Sequence, residues 1–509
     1  MTNAASAEKI LFIPHDNRPV SNQQPAEVVA QLGYEILMPP AELLTRPDEL
    51  WHWLDENAPS ADAAVIATDA LLYGGLIPSR SHNIDADELQ ARLKRLETLR
   101  QKNFFLKIYA FGSLMRTPRY GTPGDIEEPA YYGEHGGDIF ALTALLDKKE
   151  TDALTAEEQT QLDALQKKIP DEILDDYFAR RVKNFAATCR LVDFAGDGVI
   201  DYLVIGRDDN APLSQTHREN RHLLAYIEAN AAGHAQSHAG IDEYAMLLLT
   251  RAVCDLRDEA PKVHVQFNRG VGAETVPAYS DEQLGDSIRD EILIAGGISV
   301  NSPKRADLVM FVNTDRDGRT FHIHNSCPPE DLPRRERRRL RRNAKYFAAQ
   351  IEDAVAKKLP VSVADVTFAN GSDVALMNEL RRRGLLFKLQ SYSGWNTATN
   401  TSGFALGTGI LSRHMNATSR EKILARRYLD DWGYQTFVRT KIAEDLAKLP
   451  DGREIYLHPG EHEAAITARE TELMREFIAK NLPRRKFLNG VTVTNPWHRM
   501  FECEIHFAD

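Results

Sequence analysis

Short apolar runs recur along the chain, each followed by polar or glycine-bearing residues and then by a stretch with helical periodicity. The runs are 10–14, 64–68, 105–110, 202–206, 236–240, 263–267, 308–312, 361–367 and 389–392. Segments with helical spacing lie between them at 86–103, 217–231, 244–257, 281–295, 335–358 and 374–384. Alternation of this kind predicts a parallel α/β sheet. Nine strands are one more than a (β/α)₈ barrel needs. The expected fold is therefore a (β/α)₈-like barrel with one peripheral strand or a small extra layer around 261–320, and a doubly wound open parallel sheet is the alternative.

Two regions interrupt the alternation. An insertion at about 120–193 separates the third and fourth runs, and its middle, 148–168, is rich in Glu, Gln, Leu and Ala and reads as solvated helices. It is expected to form either a wall over the site or a plain helical decoration. Past Gly409 the pattern becomes helical at 419–432, 434–447 and 461–481, then strand-like at 490–494 and 503–507. The expected organisation is a catalytic domain over 1–410 and a C-terminal helical region with a small β piece over 411–509.

Composition narrows the function. The 509 residues carry a formal charge of −12, which argues against nucleic acid as the main partner because phosphate binding needs a positive footprint. The one strongly basic block, RRERRRLRR at 334–342, reads as a solvated helix face, with an anionic-ligand site as the other reading. Cys189, Cys254, Cys327 and Cys503 show neither zinc-type spacing nor a disulfide framework. No run approaches the roughly 20 apolar residues of a membrane span, so a soluble, cytoplasmic protein is expected. A homo-oligomer stays open.

In a βα fold the ligand site is built from residues just past the carboxyl ends of strands. Read as one set, those positions give Asp16, Asn17 and Arg18; Asp69, Tyr73 and Arg80; Arg116; Asp208 and Asp209; Asp242 and Glu243; Asn268 and Arg269; Asn313 to Asp315; Asn370 and Asp373; and Trp395, Asn396 and Asn400. Any one Asp or Asn can be a helix N-cap. Carboxylates, amides, arginines and a tryptophan on one rim match a sugar, whose hydroxyl pairs need bidentate partners and whose apolar face needs an aromatic one. The glycine-rich 403–409 lacks the basic residue of a phosphate loop, and His15, His217 and His238 lack metal-type spacing such as HxxxH.

Two acid pairs, Asp208-Asp209 and Asp242-Glu243, carry the sharpest reading. Adjacent carboxylates repel, so one pKa can be pushed up while the other group stays ionised. Successive residues of a regular strand face opposite sides. An adjacent pair therefore acts together only where the backbone turns between its members.

His238-Ala239-Gly240-Ile241-Asp242-Glu243 resembles the strand-end motif of family 20 β-hexosaminidases, with Ile241 where those enzymes usually carry a small residue. Asp208-Asp209 looks like the pair of the family 84 O-GlcNAc hydrolases. Both resemblances imply substrate-assisted hydrolysis, in which the sugar's own 2-acetamido group is the nucleophile, one acid polarises it and the other protonates the leaving oxygen. The segments 14–23, 68–80, 206–212, 240–252, 392–403 and 496–502 together resemble a bacterial family catalogued as a domain of unknown function, number 4127. That resemblance implies a single enzyme-like unit.

The leading expectation is a retaining glycoside hydrolase acting on terminal β-linked 2-acetamido sugars such as N-acetylgalactosaminides or glucosaminides. The two acid pairs are the catalytic candidates. Asp16, Asn17, Arg18, Asp69, Tyr73, Arg80, Arg116, Asn370, Trp395, Asn396 and Asn400 form the sugar rim, and no cofactor or metal is called for. The alternatives are a metal-dependent hydrolase using Asp16, Asp69, Asp208 and Asp242 as hard oxygen ligands, and a non-catalytic carbohydrate-binding protein.

Overall fold

A computed structural model describes residues 7–121, 127–323 and 332–508. Cys327 lies outside the described residues. The chain divides into two compact units, each built from three segments. One takes the residues up to Asn17, Gly33–Ala252 and Tyr279–Glu282; the other takes Arg18–Leu32, Val253–Ala278 and the residues from Gln283 onward.

The first unit is built on a six-stranded parallel sheet of β1 (Lys9–Ile13), β2 (Glu35–Leu37), β3 (Ala63–Ala67), β4 (Lys107–Leu114), β5 (Tyr202–Arg207) and β6 (Ala235–Ala239), in the order β2-β1-β3-β4-β5-β6. β1, β3 and β5 are buried almost throughout, which is why they read as continuous apolar runs rather than as alternating ones. Gly206 in β5 pairs with His238 in β6. A Cβ at Gly206 would lie 2.5 Å from the Gly240 carbonyl oxygen, so only glycine lets the turn after β6 close over β5.

The second unit repeats the strand order. Its five-stranded parallel sheet consists of β7 (Lys262–Phe267), β8 (Ile298–Ser299), β9 (Leu308–Asn313), β11 (Val361–Asp365) and β13 (Ser391–Ser393), ordered β8-β7-β9-β11-β13. Short strands β10 (Phe321–His322) and β12 (Phe368–Ala369) pair with each other, as do β14 (Thr492–Thr494) and β15 (Glu504–His506). The glycine-rich 403–409 segment lies within the fully buried helix Ala398–Ser412, where a Cβ at Gly409 would meet Ser362 Oγ at 2.1 Å. Gly409 serves close packing on the sheet.

All nine apolar runs are strands, yet they do not close into a barrel: the described strands form two open parallel sheets, as in the doubly wound alternative. The alternation of strand and helix is the same in both architectures, and only hydrogen-bond partners distinguish them. The expected boundary at residue 410 does not coincide with the division of the chain. Tyr428, Trp432, Met474, Phe477 and Ile505 from the C-terminal region share one hydrophobic core with Val309, Phe311, Val361 and Tyr392 of the second sheet.

The insertion folds as helices Tyr132–Thr151, Ala156–Lys168 and Asp171–Gly196. The middle one starts with a capping box between Thr155 and Glu158. Tyr132, Ile139, Leu142, Leu162, Leu165, Ile169 and Tyr177 give the insertion its own small core. The basic block opens the helix Arg334–Ala356, which buries Leu340, Ala344, Phe347 and Ile351 and leaves Arg334, Arg335, Arg338, Arg341 and Arg342 exposed. No helix among the described residues is long and apolar enough to cross a membrane.

Candidate functional site

In the order β2-β1-β3-β4-β5-β6 the direction of strand addition reverses between β1 and β3, and open sheets of this type bind ligands outside the carboxyl ends near that reversal. Those ends carry the predicted acids and arginines. His15 and Asp16 follow β1, and Asp69 stands in the first turn after β3. Arg116 follows β4, Asp208-Asp209 follow β5 and Asp242-Glu243 follow β6.

Two guanidinium groups sit among four carboxylates. Arg80 Nη2 donates to Asp208 Oδ2 at 2.7 Å, and Arg116 Nη1 to Asp209 Oδ2 at 2.9 Å. Arg116 also binds Glu127 Oε2 at 2.9 Å and Glu128 Oε1, which Arg80 approaches at 3.5 Å. Arg116 Nη1 is 4.0 Å from Asp208 Oδ2 as well, so both aspartates face one nitrogen. The backbone turns between them as the pair requires: Asp209 has φ +42°, a left-handed conformation uncommon outside glycine. Burial first, and then the charge of Asp208, push the Asp209 carboxyl up to about 7 against the opposing pull of Arg116 and Arg80. Asp209 nevertheless keeps 32% of its side chain accessible, against 3% for Arg80.

The insertion holds this network in place. Arg181, on its last helix, makes a two-toothed ion pair with Glu219 at 2.7 and 2.8 Å and donates to the carbonyls of Met115 at 2.6 Å and Arg116 at 3.2 Å. Thr117 lies 3.3 Å from Tyr177 Oη. The loop that carries Arg116 is therefore fixed from the insertion. His217 is accounted for structurally, since its Nδ1 lies 2.7 Å from the buried Asp147, which also pairs with Arg221.

A second group lies deeper. His15 Nε2 is 3.1 Å from Asp242 Oδ1 and 3.3 Å from Asp16 Oδ2. Asp69 accepts from Ser113 Oγ at 2.6 Å, and burial pushes its carboxyl up to about 6. Glu243 is fully buried, 3.7 Å from His238 Nδ1. Burial, and then the charges of Asp242 and Asp208, hold its pKa well above the usual carboxylate range. Glu282, 3.7 Å from His238 Nε2 and 2.7 Å from Arg207 Nη2, is held low by His238 and Arg207 despite its burial. Tyr73 stacks on His82 at 4.8 Å, and Asn17 is exposed.

The other predicted residues belong to the second unit. Arg18 lies 3.9 Å from Glu502 and 5.1 Å from the Trp497 ring. Asn370 and Asn396 both have positive φ, +63° and +65°, and the Asn370 amide donates to the Asn396 carbonyl at 3.0 Å. Trp395 is buried against Phe501, with ring centroids 6.0 Å apart, and its Nε1 has no hydrogen-bond partner. Asn400 is buried in the first turn of Ala398–Ser412. These positions form turns and packing within their unit, with the Trp395 ring tilted at 52° to that of Phe501.

The family described as "Protein of unknown function (DUF4127)" matches residues 10–506, covering both sheets and every candidate position. The chain belongs to this family. No curated protein matches it.

Sequence reading missed several members of the site in this DUF4127 chain. Glu127 and Glu128 stand in a loop without periodicity. His15 meets Asp242 across 227 positions, so their contact is invisible to a search for local spacing. The Ser113 contact to Asp69 depends on the pairing of β3 with β4.

Proposed function

We propose that this protein is a retaining glycoside hydrolase for β-linked 2-acetamido sugars, with Asp208 and Asp209 as the catalytic pair. One observation carries the reading: the turn at Asp209 aims two adjacent carboxyl groups at one guanidinium while their partners differ. Asp208 is ion-paired with the buried Arg80, whereas Asp209, paired with Arg116, is pushed up to about 7 by burial and by Asp208 and remains accessible. Pairs whose environments separate their protonation in this way divide into an anion and a proton donor.

In the proposed cycle the Asp208 carboxylate accepts the acetamido N–H, and the acetamido oxygen attacks the anomeric carbon. The glycosidic C–O bond breaks as Asp209 gives its proton to the leaving oxygen. Asp209, now a carboxylate, takes a proton from water, whose oxygen adds to the anomeric carbon and opens the bicyclic oxazolinium with overall retention. Arg80 and Arg116 hold the pair in register, and Arg181 holds Arg116. Asp242 and Glu243 are less suited to the same task, being tied to His15 and fully buried, respectively.

The test is inhibition by a 2-acetamido-sugar thiazoline, a stable mimic of the oxazolinium, together with retention followed by NMR on a p-nitrophenyl 2-acetamido glycoside. Tight thiazoline binding that is lost in Asp208→Asn supports the reading. Cleavage that ignores the thiazoline, or inversion at the anomeric carbon, overturns it.

A further inference from the structure

We propose that the outward face of the helix Arg334–Ala356, in the second unit, is a docking stripe for a linear acidic polysaccharide. The stripe is read from this helix alone, whereas the choice of a glycan as the carrier of the negative charge rests on the acetamido-sugar reading above.

The placement of the cations is the first support. At about 100° per residue, Arg334, Arg335, Arg338, Arg341, Arg342 and Lys345 fall within about 120° around the helix and cover about 16 Å of its length. All six are exposed, and the opposite face is buried through Leu340, Ala344, Phe347 and Ile351. The nearby acids are engaged elsewhere: Asp315 and Glu336 pair with Arg319 and Arg339, and no acidic residue stands between Glu336 and Glu352. None of the six side chains forms a hydrogen bond or ion pair with another described residue.

The second support is that the helix is not stabilised by this arrangement. Arg334 with Arg338, Arg338 with Arg342, and Arg341 with Lys345 are like charges four residues apart, which destabilise a helix. Arg334 and Arg335 also place cations in the first turn, against the helix dipole. A bound polyanion reverses both effects.

The setting selects the polymer. Five of the six cations are arginines, whose guanidinium forks match sulfate, phosphate and carboxylate groups. The chain has a net charge of −12, so everything outside the stripe is more acidic still. An extended anionic membrane would meet that acidic remainder, and the face that a membrane-bound helix inserts is here packed in the core. Single-stranded nucleic acid calls for aromatic platforms under its bases. The stripe has none, and the adjacent Tyr346 lies against the Arg269 guanidinium at 4.6 Å. A thin acidic glycan needs only cations at intervals.

The experiment follows binding of the full chain to fluorescently labelled chondroitin sulfate, in which a uronate alternates with a sulfated 2-acetamido sugar. Single-stranded DNA and phosphatidylserine vesicles are compared in the same buffer. We expect half-saturation at about 10 µM chain or below, weakening as salt is added. Replacing three cations together (Arg338→Gln, Arg341→Gln and Arg342→Gln) should weaken binding by about tenfold or more, with a melting temperature unchanged or raised. Lys167→Gln, an exposed lysine of the insertion, should leave binding as it is. Binding is read without turnover, so a chain that holds chondroitin sulfate yet cleaves no acetamido glycoside retains the stripe and loses the hydrolase reading. No binding of chondroitin sulfate, binding indifferent to the triple substitution, or tighter binding of DNA or vesicles overturns the proposal. A lowered melting temperature in the triple variant does so as well, because the arginines would then be structural.

Discussion

The two units share a strand order and each carries a pair of aspartates at or just past the carboxyl ends of its strands, yet the pairs are built for different ends. In the first unit Asp208 and Asp209 face Arg80 and Arg116, Asp209 sits in a left-handed turn, and a third of its side chain is accessible. In the second, Asp365 ends β11 and Asp373 caps the helix Val374–Arg382, and both are buried. Asn313 Nδ2 donates to Asp365 at 2.8 Å and to Asp373 at 3.3 Å; Tyr392 Oη and the Asp373 amide donate to Asp365 at 2.9 and 2.7 Å; and Asp373 accepts the Ala375 amide at 2.8 Å. Burial raises the pKa of both aspartates of this second pair, as it raises Asp209. A raised carboxyl pKa therefore does not mark a reacting group. Accessibility separates the pairs: Asp209 keeps 32% of its side chain accessible, whereas Asp365 and Asp373 are buried.

The largest effect that would sharpen this contrast is catalytic. Asp209→Asn should lower kcat by about 10²–10⁴-fold, the range for removal of a general acid, with circular dichroism and melting temperature little changed. An equal loss in Asp365→Asn would erase the distinction between the pairs. That variant is expected instead to cost about 1–3 kcal/mol of stability in denaturant titration, because donors from Asn313, Tyr392 and the backbone would lose their match, while turnover at saturating substrate stays close to that of the parent.

The pH dependence differs as well. Activity requires protonated Asp209, so kcat/KM should fall on the alkaline side with an apparent pKa near 7. Arg116 lowers that pKa, and Arg116→Gln should move the alkaline limb upward by about one unit, measured as a shift of the profile rather than a loss of height. For the second unit the readout is stability. The folded-state pKa values of Asp365 and Asp373 lie above the unfolded ones, so the folded protein holds the proton more tightly. That contribution is complete below the ordinary carboxylate range and is lost as pH rises toward neutrality. Stability relative to Asp373→Asn should decline over that interval, and a difference independent of pH would contradict the assigned environment.

The smallest effect is expected at Glu243. As a fully buried acid whose pKa burial holds well above the usual carboxylate range, it should accept Gln with less than about a tenfold change in kcat. A loss as large as that of Asp209→Asn would transfer the proton-donor role to the second acid pair.

Much of this organisation is written locally in the chain. β3 and β5 read as apolar runs because burial on both faces demands apolar residues throughout, and the need for a turn between Asp208 and Asp209 follows from strand geometry alone. Closure is not written locally. β2 is three residues long with Glu35 exposed, so it gives almost no apolar signal, yet its place beside β1 is part of what makes the sheet open and sets the reversal point. At the site, the strand-end rule finds Asp16, Asp69, Arg116, Asp208 and Asp242. It also selects Asn370, Trp395 and Asn396, whose positive φ values and aromatic packing serve turns and core within the second unit. Asparagine suits both left-handed turns and ligand contacts, and sequence alone cannot separate the two uses. Partners that meet across long separations, such as His15 with Asp242 or Arg181 with the carbonyl of Met115, exist only once the strands are paired.

The most direct measurement is release of p-nitrophenol from the β-GalNAc, β-GlcNAc, β-Gal and β-Glc glycosides by the parent chain and by Asp209→Asn. The account predicts cleavage confined to the two acetamido sugars and strongly reduced in the variant. Cleavage of β-Gal or β-Glc at comparable rates, or of none of the four, would contradict it.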